Sequence, residues 1–126
     1  MSLQKVVELT NLLSAKLSER VDKNDPDNVA FRLEELCSLQ ANASYCISLS
    51  EMVYNEKIAE LVEQKQFSGL SATDKKMVFA GRAKQEIFYM NLSERLAKNV
   101  SYSIESMRSL LSFLKQEMNN SKYQTT

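Results

Sequence analysis

Near the start of the chain apolar residues return at every third or fourth position, as Val6, Leu9, Leu13, Leu17 and Val21. That spacing places them on one helical face and predicts a helix over about 3–23. "KNDPDN" closes it, because the residue before Pro26 is driven out of the helical region, while Asp25 offers an N-cap and Pro26 suits the first helical position. A second helix is predicted over about 27–65, with Val29, Leu33, Leu36, Gln40, Ala43, Ile47, Ser50 and Tyr54 as its inward line. In "QFSGLSATD", Gly69 suits a chain reversal and Ser71 with Asp74 forms a capping-box-like start. A third helix is predicted over about 72–118, most regular through Ala97, Val100, Ile104, Met107, Leu111, Leu114 and Met118, with the last residues fraying. Gly81, in "FAGRAK", is where it would bend or admit close approach of a partner. A seven-residue period sustained this long calls for left-handed, coiled-coil-like packing. The expected fold is all-α, one domain over 1–126 built as a long-helix bundle of three main helices.

The helices are apolar on more than one side. Measured from Ala97 at about 100° per residue, Tyr102 and Phe113 lie far round the third helix, Leu110 sits on the far side and Phe88 is nearly opposite. On the second, Phe31, Tyr45, Leu49 and Met52 fall behind the Leu36 line. A helix apolar nearly all round is normally buried all round. Three helices cannot cover both reverses, so the bundle is expected to be completed by oligomerisation, with Tyr45, Leu49, Met52, Phe88, Leu110 and Phe113 as the oligomer or partner face.

Composition narrows the chemistry. Only two Gly and one Pro occur, too few turn residues for many strand connections. No apolar run reaches the roughly 20 residues of a membrane span, and "MSLQKVVELT" has no signal-peptide core, so a soluble, cytoplasmic protein away from membranes is expected. Without His, without a phosphate-binding Gly loop and without a nucleophile elbow, no enzyme, metal site or cofactor is expected. Cys37 and Cys46 read as plain thiols, and the carboxylate row Glu56, Glu60, Glu63 as a solvated face. Net charge is zero, yet 1–26 carries four basic and four acidic residues, 27–66 three against seven, and the rest nine against five. Opposite charge favours pairing of the second and third segments, and the balance makes tight binding of duplex DNA unexpected.

One polar group stands out. Arg95, Lys98 and Tyr102 share a stripe of the third helix, with Arg82 and Lys84 a few turns earlier. A guanidinium, an ammonium and an aromatic ring together can hold a phosphate and stack a base, which makes these five the candidate ligand site. The competing reading is a solvated face with Glu94 and Lys98 paired.

The run "LAKNVSYSIESMRSLLSFLKQEM", in a small chain without His or Trp, resembles the Ser-rich terminal helices of small bacteriophage-encoded helical proteins. From Arg95 and Ala97 onward it is similar to those that sequester cyclic nucleotides of bacterial immunity. The resemblance covers about the last quarter of the chain. It implies a compact oligomer that holds its ligand between subunits without hydrolysing it, in host cytoplasm. This chain is longer, its terminal helix lacks tryptophan, and no binding residue is carried over. The expected function is that of a non-enzymatic oligomeric binding protein, a phage counter-defence protein capturing a small anionic nucleotide or a host protein. A structural or assembly module, and an accessory protein of nucleic-acid replication or recombination, are the alternatives.

Overall fold

Asp25 leaves the helical region at φ −103° and ψ 112°, and its carboxylate accepts from the Asp27 amide at 3.0 Å, so the helix that follows starts on a satisfied cap with Pro26 at its head. Ser71 does the same for the next start, accepting from the Asp74 amide at 3.2 Å. The computed structural model describes residues 3–124 and gives four α-helices: α1 (Leu3–Ser18), α2 (Pro26–Glu63), α3 (Ala72–Arg82) and α4 (Lys84–Gln124), with a 3-10 turn at Lys65–Phe67. No strand occurs among the described residues.

The all-α expectation therefore holds, and the three-helix division is corrected. The third predicted helix is two, joined at Ala83, which departs from helical geometry at φ −104° and ψ 21°. Hydrogen bonds still cross the joint, from the Ala83 amide to Phe79 and from the Ile87 amide to Ala83, so it is a one-residue distortion. Gly81 lies inside α3, and a Cβ added there would meet nothing within 4 Å, so no partner segment approaches it. α1 stops at Ser18, short of the expected Lys23; at its end the Lys16 carbonyl accepts from the Glu19 amide at 3.3 Å and from the Arg32 side chain at 2.5 Å. α4 continues past the expected Met118 to Gln124; fraying of the last two residues lies outside the described residues.

α2 and α4 run antiparallel in close contact, with Cys46 opposite Ser93 and, further along, Pro26 beside Leu114 and Met118. α1 lies against both, adding Val6 and Leu13 to a core of Leu36, Leu39, Ala43, Cys46, Leu49, Val53, Leu96, Val100 and Ile104. α3 touches this body lightly, through Phe79 edge-on to Phe67 at 5.6 Å.

The buried line of α2 is Val29, Arg32, Leu36, Leu39, Ala43, Cys46, Ser50 and Val53. Of the predicted line, Val29, Leu36, Ala43 and Ser50 are confirmed; Leu33, Ile47 and Tyr54 are half-buried at its edge, and Gln40 is exposed. The difference is a step of three where four was expected. It rotates the face by about 50°.

Candidate functional site

That rotation decides which reverse-face residues are free. Leu49, expected on the partner face, is 3% exposed and belongs to the core, and Leu110 is half-buried. Both are removed from the exposed set. Tyr45, Met52, Phe88 and Phe113 remain in solvent, joined by Phe31.

On α4 the exposed aromatics are ordered. Phe88, Arg95, Tyr102 and Ser109 follow one another at seven-residue intervals, and Phe113 stands one turn beyond Ser109. Phe88, Tyr102 and Phe113 are 58%, 63% and 55% exposed, and the Phe88 ring meets Tyr89 edge-on at 5.1 Å. Flanking them, Glu94, Lys98, Glu105 and Arg108 are exposed, and among the described residues none of these four is in an ion pair. The Glu94–Lys98 pair weighed from sequence is thus not formed.

The five candidate ligand residues do not converge. Lys98 and Tyr102 share a shallow groove of about 310 Å³ with Ile47 and Glu94. The carboxylate there offsets the ammonium, and Arg95 does not line the groove. Arg82 sits over the Phe67 ring at 5.8 Å, where it braces α3, and Lys84 opens α4 across the Ala83 joint, roughly 16 Å along the axis from Arg95.

A deeper feature was not signalled by periodicity. Between the segment following α1, the first turns of α2 and the middle of α4 lies a cleft of about 580 Å³. Arg32 stands in its wall, 6% exposed. Its Nη2 donates to Lys16; its Nη1 is buried without a hydrogen-bond partner, 3.6 Å from Glu19 and 3.9 Å from Glu35. Arg20, Lys23, Asn99, Ser103 and Ser106 line the same space, and Tyr102 reaches its rim. An Arg inside an apolar heptad line is the signal that sequence could have supplied.

Among the described residues no group of three His, Cys, Asp or Glu side chains is placed to hold a metal ion, and no helix is long and apolar enough to cross a membrane. No protein family, curated protein or solved structure matches the chain.

Proposed function

We propose that the protein is a binding module without catalytic chemistry, working as a homodimer joined along the outer face of α4. One observation carries the reading: that face is self-complementary about Ser101. A two-fold interface requires each patch to match itself reversed. With two α4 helices antiparallel and crossing at Ser101, Glu94 falls opposite Arg108 of the second copy and Lys98 opposite its Glu105. Phe88 then reaches the level of the second copy's Phe113, and Tyr102 lies beside its counterpart. Small Ala97 and Ser101 beside the crossing let the helices approach closely.

The driving force is apolar. Full burial of a large apolar side chain gains roughly 1.5–3 kcal/mol, and Phe88, Tyr102 and Phe113 still expose more than half of their surface, so six such side chains across the interface gain an amount of the same order as the association cost of about 4–15 kcal/mol. Light scattering at about 100 µM is expected to give twice the chain mass, and Phe113→Glu to give a monomer with unchanged helicity, because Phe113 is already exposed. A wild-type monomer at that concentration would remove the proposal. Capture of a small anionic ligand is the second part of this reading, supported by the cleft at Arg32 more than by the Arg95 stripe.

A further inference from the structure

A buried guanidinium with an unused donor is costly, since an unmade hydrogen bond on a charged group forfeits more than a neutral one. Arg32 is in that state. Its Nη2 holds the end of α1, but Nη1 has carboxylates only at ion-pair range, beyond hydrogen-bond reach. Glu19 approaches without closing. It lies on the irregular segment just after α1, its side chain about half exposed, between the Lys16 ammonium at 3.4 Å and Arg32 at 3.6 Å. It is a tethered carboxylate hovering over a cationic seat.

The surrounding cleft is built to take something less constrained. Its volume of about 580 Å³ lies within the range of small-molecule sites. The loop side offers the cations of Arg20 and Lys23, the α4 side offers Asn99, Ser103 and Ser106 as hydrogen-bonding groups, and Leu36 and Met107 contribute apolar surface. We propose that this cleft binds a small oxyanion, phosphate or carboxylate, carried on an apolar or planar body, and that Glu19 occupies the oxyanion's place while the site is empty. On binding, Glu19 swings into solvent. That exchange keeps the buried guanidinium paired throughout and releases only the exposed carboxylate to solvent, while an untethered oxyanion can close to about 2.8 Å from Nη1 and engage the guanidinium edge-on. The inference names the ligand class for the capture role proposed above and rests on that role only for its use; the dimer can fail while the site stands.

The test is an amide-resolved NMR titration of the full chain with adenosine 5′-monophosphate for the phosphate arm, benzoate for the carboxylate arm and adenosine as the uncharged control. At least one anion is expected to shift residues 17–23, 32–36 and 99–107, with adenosine leaving them still; the arm that binds identifies the oxyanion. Glu19→Gln should tighten binding of that probe about tenfold, since it removes the competing charge from the seat, and the exposed double variant Arg20→Ala with Lys23→Ala should weaken it about tenfold. Diffusion coefficients from the same samples report the dimer separately, and none of these substitutions should change them. No shift in the cleft at about 10 mM of either anion, shifts centred on Arg95 and Lys98, equal shifts with adenosine, or a Glu19→Gln variant that binds no more tightly would each overturn the proposal. The Glu19→Gln arm matters most, because a purely structural Glu19 would lower stability on substitution and leave affinity where it was.

Discussion

Cys46 and Ser93 meet across the α2–α4 seam at 3.2 Å, both shut away from solvent, and the Ser93 hydroxyl also reaches the Tyr89 carbonyl at 2.7 Å. Burial pushes the Cys46 thiol above its ordinary value, with the Ser93 hydrogen bond pulling weakly the other way. A thiol whose pKa is raised by folding contributes stability that is complete below the unfolded value and lost as pH rises through the folded one. Two outcomes are expected at neutral pH and above. Ellman's reagent should modify the exposed Cys37 quickly and Cys46 only on unfolding. The loss of stability between about pH 8 and pH 10.5 should be smaller in Cys46→Ala than in wild type, once each is referred to its own value at pH 7. Fast modification of both thiols in the native protein would show that the seam opens. The small polar pair reads in sequence as two unremarkable residues on different helices; only the antiparallel register brings them together.

The same distinction between local and tertiary information explains which elements were legible. Starts were, because Asp25 with Pro26 and Ser71 with Asp74 act through their own neighbours. Ends were less so: at the end of α1 the Lys16 carbonyl is shared between the Glu19 amide and Arg32 from another helix, and the second of these depends on tertiary packing. The face of α2 was half legible. Val29, Leu36, Ala43 and Ser50 belong to either choice of stripe, and Leu33, Ile47 and Tyr54 are matched in number by Leu39, Cys46 and Val53, so a count of apolar residues does not choose; the charged Arg32 at the head of the second set tips the choice to the wrong flank. Leu39 against Gln40 was the local clue to the right one. The shape of the cleft was illegible, since it depends on where the end of α1 meets α4; its one trace in the sequence is Arg32 among apolar positions. The observed register makes a direct prediction for α2: Leu49→Ala, removing a core side chain, should cost about 2–5 kcal/mol, while Tyr45→Ala one turn earlier should cost under about 0.5 kcal/mol. Chemical denaturation of both variants decides it, measured for each at low concentration so that association does not enter. Equal losses would mean that α2 is rotated from the position described.

At the scale of the whole molecule, charge is segregated between α2, which is acidic, and the chain from Phe67 onward, which is basic, and their antiparallel contact brings the two together. The outer face of α4 does something different with charge. Glu94, Lys98, Glu105 and Arg108 alternate so that the pattern reverses sign under a two-fold turn about Ser101, and among the described residues none of them is in an ion pair. Exposed ion pairs contribute little affinity, typically about 0.2–1 kcal/mol each, so in the proposed dimer their use would be orientation: they would favour the antiparallel arrangement and oppose a parallel one, in which like charges would align. Charge reversal separates this from unspecific aromatic stickiness. Lys98→Glu sets a second carboxylate opposite Glu105 at both symmetric positions of the interface, and Glu105→Lys does the converse with ammonium groups, so either single variant should weaken the dimer about tenfold or more at low salt. The double variant restores two opposite-charge pairs and should recover most of the wild-type association. Sedimentation at about 50 mM and 500 mM salt provides the readout, with the single-variant defect shrinking at the higher salt as screening shortens the reach of the repulsion. Association that is lost in Phe113→Glu but indifferent to both single reversals would keep the aromatic face and discard the antiparallel register; recovery in the double variant alone is the result that the two-fold geometry requires.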